Sequence, residues 1–139
     1  DSGVAKAGEL AKARGAKRVL PLEVGGPFHT PLIDKASLWL SEEMARIDFV
    51  NGTVPVVSNL DAQASLIGEE ARVKLGKQII SAVRWVDCVR YMINAGVELF
   101  IEFGPQKVLS GMIKNIDKDV RCHNVDRMED IAALQELMS

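Results

Sequence analysis

The spacing of apolar residues along this chain switches repeatedly between helical and extended periods. Val4, Leu10 and Ala11 form a sparse stripe that predicts a helix over residues 4–14, closed by Gly15. An apolar run at 18–24 predicts a first strand. Residues 24–32 then read V-G-G-P-F-H-T-P-L, where two glycines and two prolines interrupt any regular element. The helical period returns at Ile33, Ala36, Leu40, Met44 and Ile47, with Pro31 suited to a first helical position. Asn51-Gly52 marks a turn. The β-branched T-V-P-V-V of 53–57 predicts a strand, which Pro55 confines to an edge or an irregular position.

Past a polar loop at 58–61, a helix is expected over 69–80, through Ala71, Leu75 and Ile79. A break at 81–86 precedes a second helix over 86–94, which Ala95-Gly96 ends. V-E-L-F-I-E-F at 97–103 alternates so weakly that it reads as a strand covered on both faces. Gly104-Pro105 stops it. Val108, Leu109, Met112, Ile113 and Ile116 form a strong helical stripe, followed by a short strand at 120–125 and a last helix at 128–138. Strands alternating with helices predict an α/β fold with mostly parallel pairing. In such sheets chemistry gathers in the loops after the strands, and His29, Asn59 and Gly104 all fall there.

Composition narrows the function classes. The 139 residues suffice for one sizeable core, and 47% hydrophobic with 26% charged residues is ordinary for a globular protein. A net charge of −2 gives no general attraction to nucleic acid or to acidic membranes, and 5% aromatic residues leave few platforms for bases. Neither a nucleic-acid nor a membrane partner is expected. Cys88 and Cys122 match no disulfide framework, which points to a reducing, cytoplasmic setting. No apolar run approaches the ~20 residues of a membrane span, and the first 20 residues read as a charged helix rather than a leader. The chain opens on Asp1 and enters a helix at once, which leads us to expect part of a longer unit. Lys6, Lys12, Arg14, Lys17 and Arg18 read either as a solvated face or as a docking patch for an acidic partner.

His29, in mid-break after a strand, is a candidate proton-transfer group or else an idle loop residue. Cys122-His123 has no second ligand pair at a useful spacing, so no metal site is expected. Phosphate-cradling glycine motifs are missing too. A histidine base needs a hydroxyl or thiol within reach. Ser110 lies inside a helical stripe, Ser58 lacks flanking glycines, and Cys88 sits in a helix interior; no G-x-S-x-G elbow occurs. The sequence shows a base without an evident nucleophile.

Four blocks say more. G-P-F-H at 26–29, V-P-V-V-S-N at 54–59, Q-I-I-S-A-V-R-W at 78–85 and E-F-G-P-Q-K-V-L-S-G-M-I-K at 102–114 resemble, in the same order, segments of the malonyl-CoA:acyl carrier protein transacylases. These enzymes serve fatty-acid biosynthesis, which is the role the resemblance implies here, and the polyketide acyltransferase domains are related to them. The resemblance covers essentially the whole chain but only the C-terminal half of such an enzyme. It implies an α/β-hydrolase-like subdomain carrying a ferredoxin-like insert. Residues 1–22 would be the insert's last helix and strand, and 23–139 the C-terminal part of the large subdomain.

The implied reaction is a ping-pong transfer without a cofactor. A serine in a G-H-S-x-G elbow takes malonyl from its coenzyme A thioester, and the phosphopantetheine thiol of acyl carrier protein takes it from the serine. His29 matches the base. Gln78 matches the residue whose main-chain carbonyl orients the imidazole, although a plain polar helix-end residue remains an open reading. Phe28 matches a position tied to extender choice and favours malonyl over methylmalonyl, and Asn59 matches a residue near the cleft.

The elbow serine, the arginine for the malonyl carboxylate and an oxyanion-hole glutamine have no counterpart in these residues. The expected partners are therefore malonyl-CoA, acyl carrier protein and an N-terminal half, with no activity in this chain alone. Apolar surface should be exposed where that half would pack, at 97–103 above all. The alternatives are a non-catalytic module that binds carrier protein and a piece of a polyketide synthase acyltransferase domain.

Overall fold

The computed structural model describes residues 2–21 and 24–138. Helix α1 (Ser2–Ala13) ends where Gly15 turns to φ +90°, with the Gly15 and Ala16 N–H groups donating to the carbonyls of Lys12 and Ala11. A 3₁₀ turn (Pro31–Ile33) leads into α2 (Asp34–Met44), and the Thr30 hydroxyl caps the turn by accepting from the Leu32 N–H at 3.3 Å. Next come the two-residue strands β1 (Val56–Val57) and β2 (Ala64–Ser65), then α3 (Gly68–Gln78) and α4 (Trp85–Asn94). The chain finishes with β3 (Leu99–Phe103), α5 (Val108–Ile116), β4 (Arg121–Val125) and α6 (Glu129–Met138).

β3 and β4 pair in parallel from Leu99 opposite Arg121 to Phe103 opposite Val125, with α5 between them in the chain. Val89, Ile113 and Val120 form the core beneath, joined by Trp85, Ile93, Phe100, Ile116 and Cys122. This cluster draws α4, α5 and the parallel pair into one layer. A second contact joins α2 to α3, where Gly76 has room for only a hydrogen: a Cβ there would stand 2.7 Å from Ser41 Oγ.

The fold is mixed α/β, as the alternating pattern implies, but parallel pairing is confined to β3 and β4 among the described residues. β1 and β2 pair antiparallel, Val56 with Ser65 and Val57 with Ala64. The T-V-P-V-V strand thus shrinks to Val56–Val57, and its partner falls in a stretch with no β-branched signal. The expected strand at 18–24 does not form over the described residues 18–21 and 24; Leu22 and Glu23 lie outside them. No described strand pairs with this segment, and an apolar run without a ladder gains no strand hydrogen bonds. The helix expected from Pro31 to Ile47 begins as the 3₁₀ turn and ends at Met44. The pattern of β3 implies cover on both faces, yet the strand is half-exposed along four residues and 73% exposed at Phe103.

The end of β3 and the start of α5 are joined by one carboxylate. Glu102 Oε1 accepts from the Leu109 N–H (2.9 Å), and Oε2 accepts from the Ser110 N–H (2.8 Å) and hydroxyl (2.7 Å). These are the unpaired donors of a helix N-terminus, met by a negative charge. The Ser110 hydroxyl first, and then the main-chain N–H groups, hold the Glu102 carboxyl below the ordinary glutamate range. As pH falls, the unfolded chain therefore takes up a proton here before the folded one. The stabilisation is full above the ordinary glutamate value and is lost as pH falls through the lowered folded value. Glu102→Gln should lower Tm at neutral pH, and the gap to the parent should close on acidification through that window. Thermal unfolding of both proteins across an acid series measures it; a gap independent of pH would mean that the charge does not matter.

Candidate active site

His29 occupies the left-handed region, at φ +61°, where histidine is one of the few side chains found with any frequency. Two bonds to the end of α3 hold it there. Its main-chain N–H donates to the Ile79 carbonyl at 3.0 Å. Its ring Nδ1 lies 3.1 Å from the main-chain carbonyl of Gln78, a group that only accepts, so Nδ1 carries the proton. In the neutral form of the imidazole this tautomer leaves Nε2 as the acceptor, and the ring is exposed.

The end of α3 offers these carbonyls because a helix leaves its last ones without intrahelical donors. Here they are taken in succession. Gly76 O accepts from Ser37 Oγ (2.6 Å), and Lys77 O from the Ile80 N–H (3.3 Å) and Ser81 Oγ (2.8 Å). Gln78 O accepts from the Ser81 N–H (3.1 Å) as well as from His29, and Ile79 O completes the series. The Gln78 side chain turns the other way, its Nε2 donating to the carbonyls of Ser81 and Ala82, both at 3.3 Å.

Asn59 follows β1 in a tight loop where Ala62 sits at φ +57°. The Ser58 N–H donates to Gln63 O, and the Ala62 N–H to Ser58 O. Asn59 Oδ1 accepts from the Cys88 thiol (3.4 Å), and Asn59 O from the Arg84 N–H (2.9 Å), which ties this loop to the start of α4. Lys74 on α3 reaches Asp61 at 2.9 Å, and its ammonium holds the Asp61 carboxyl below the ordinary aspartate range. Between β1 and α3 lies a cavity of about 200 Å³ walled by Val57, Ser58, Asn59, Lys74, Leu75 and Gln78, among others.

Of the four candidates, the structure bonds His29 to Gln78 and puts Gln78 and Asn59 on one cavity wall. Phe28 stands outside that wall, 56% exposed, its ring folded back over Gly26. No serine or cysteine among the described residues hydrogen-bonds to the His29 ring. Burial pushes the Cys88 and Cys122 thiols up, away from the reactive thiolate. Among the described residues no three His, Cys, Asp or Glu side chains gather as a metal site, and His123 instead meets Asp130 O at 3.3 Å. Sequence reasoning missed the Ile79 carbonyl, Ser37 and the Arg84 N–H. Two of these act through the main chain, which residue types do not report.

No family model matches the chain. Over 136 residues it is 41% identical to the malonyl CoA-acyl carrier protein transacylase of Bacillus subtilis (strain 168), taking in 97% of this chain and 43% of that protein. The chain is a homologue of the malonyl-CoA:acyl carrier protein transacylases. It spans less than half their length. The acyl-carrier-protein S-malonyltransferase of Burkholderia pseudomallei 1710b superposes with a TM-score of 0.89 at 39% identity, covering 97% of this chain and 44% of that one. A transacylase solved as a type II PKS acyl-carrier protein in complex with its malonyl-transacylase gives a TM-score of 0.89 at 35% identity, covering 98% and 44%. The mixed α/β arrangement with its parallel pair is thus a transacylase fold element. No described helix is long and apolar enough to cross a membrane.

Proposed function

We propose that this chain supplies the proton-transfer side of malonyl transfer from coenzyme A to acyl carrier protein, with His29 as general base. The observation that carries the reading is the bond from His29 Nδ1 to the Gln78 carbonyl. A carbonyl in that place fixes the tautomer without burying a charge, and leaves Nε2 free to take a proton.

The serine hydroxyl belongs to a segment outside these residues. Nε2 removes its proton as the oxygen bonds to the thioester carbon. The C–S bond then breaks, and the coenzyme A sulfur leaves with the proton from Nε2. In the second half, Nε2 takes the proton of the carrier's thiol, the sulfur bonds to the same carbon, the ester C–O bond to the serine breaks, and the serine oxygen leaves with the proton from Nε2. The reactive carbonyl arrives on the substrate, so the transfer calls for no cofactor, while donors for the developing oxyanion and for the malonyl carboxylate come from the serine-bearing segment.

Around this centre, Phe28 narrows the acyl pocket in favour of malonyl, and Asn59 lines the cleft. Residues 1–22 close a ferredoxin-like insert, and 23–139 belong to a hydrolase-like subdomain. The transacylase solved with its carrier supports acyl carrier protein as partner. Two unpaired thiols fit a reducing cytoplasm, with no nucleic acid or membrane in the reaction. Because that neighbour serves a type II PKS, polyketide supply is the second reading.

A malonyl-transfer assay to carrier protein tests the proposal. The polypeptide uniting this chain with its serine-bearing segment should turn over, and the 139-residue chain alone should not exceed buffer. Turnover by the 139 residues alone would refute the external serine.

A further inference from the structure

We propose that the side-chain amide of Gln78 is a positioning group for the imidazole, acting through Gln78's own main-chain carbonyl. That carbonyl must serve two donors, the Ser81 N–H and His29 Nδ1, each at 3.1 Å. It lies at the last residue of α3, where helices fray and carbonyls tilt toward water. The chain leaves the helix immediately after it, so the peptide's orientation depends on the turn at 79–82.

The Gln78 amide closes that turn from the other side. Its Nε2 has two protons and meets two carbonyls, those of Ser81 and Ala82. One residue thus grips the turn with its side chain and aims its main chain at the histidine. Beyond Ala82 the chain reaches Arg84, whose N–H donates to Asn59 O, so the same turn also spaces His29 from the Asn59 loop. The residue type matters. A glutamate would set acceptors against two acceptors, an asparagine would fall one methylene short, and a methionine would fill the space with no donor.

The catalytic consequence rests on the reading of His29 as base, but the positioning itself does not. The test is histidine-selective ¹⁵N NMR of the chain, above the imidazole's titration range, with His123→Gln used to assign the two rings. The parent should show the Nδ1–H form. Gln78→Met should move the ratio toward Nε2–H by about fivefold, the equilibrium equivalent of one net hydrogen bond. An unchanged ratio in a folded Gln78→Met protein would overturn the proposal.

A measurement on the parent decides the matter if that variant does not fold. The Gln78 side-chain amide protons should exchange about tenfold more slowly than those of a free glutamine, the order expected for a bond of this size held in a local structure. Exchange at the free rate would overturn the proposal. In the united enzyme, Gln78→Met should lower kcat about fivefold with KM unchanged. A shifted tautomer with unchanged kcat would leave the positioning intact and overturn the base assignment instead.

Discussion

Replacing His29 with asparagine should lower malonyl transfer by about a thousandfold in the united enzyme while leaving the fold in place. General acid–base groups contribute about 10²–10⁴ in rate, and here one ring is asked to move the proton in both half-reactions. Asparagine is chosen over alanine because of the backbone. Position 29 sits at φ +61°, a conformation that costs most L residues about 1–2 kcal/mol and that asparagine tolerates. The main-chain bond to Ile79 O survives the change, so a rate loss is not a folding loss. The readout is kcat for the coenzyme A to carrier transfer, with circular dichroism as the check on fold. A variant keeping more than a tenth of the parent rate would remove His29 from the chemistry.

Gly68→Ala should be the most damaging single methyl in the chain. Alanine is normally better than glycine in a helix by about 1 kcal/mol. At the start of α3 the sign reverses. A Cβ on Gly68 would be driven into the carbonyl oxygens of Phe49 and Val50, and neither can escape by changing rotamer. The same junction is clamped from both sides, the Gly68 N–H donating to Asn51 Oδ1 (3.0 Å) and the Gly52 N–H to Leu66 O (2.8 Å). Overpacking of this kind costs about 1–3 kcal/mol or more, which for a domain of this size lowers Tm by roughly 5–10 °C. Thermal unfolding followed at 222 nm measures it. A variant as stable as the parent would mean that the 49–52 loop does not lie against α3.

How legible this was depended on what kind of group each feature uses. His29 announced itself, because a histidine among two glycines and two prolines is a side-chain signal in a break. Its partner did not. The group facing Nδ1 is a main-chain carbonyl, and every residue has one; only the resemblance to the transacylases singled out Gln78. α4, α5 and the strands β3 and β4 followed from period and punctuation, since their apolar stripes are dense and α4 and β3 end at glycine, whereas which strand pairs with which came only from the structure. The pattern failed where strands take their partners from elsewhere or from weak sequence. The run at 18–24 has the composition of a strand but no ladder over its described residues, and Ala64–Ser65 has a ladder without the composition. The proposed roles of Phe28 and Asn59 came from the resemblance alone; Asn59 lines the cavity and Phe28 stands outside it.

The distance along the chain between paired groups also sets what each contact costs to close. Glu102 and Asn124 on the parallel pair meet across 22 positions, with α5 folded between them, whereas His29 and Gln78 meet across 49. Closing a longer loop costs more entropy, though the cost grows only logarithmically. By loop length alone, the β3–α5–β4 unit closes at a smaller entropic cost than the imidazole's seat on α3. A ribosome would release the two halves of that seat well apart, so the histidine loop emerges before the helix end that anchors it.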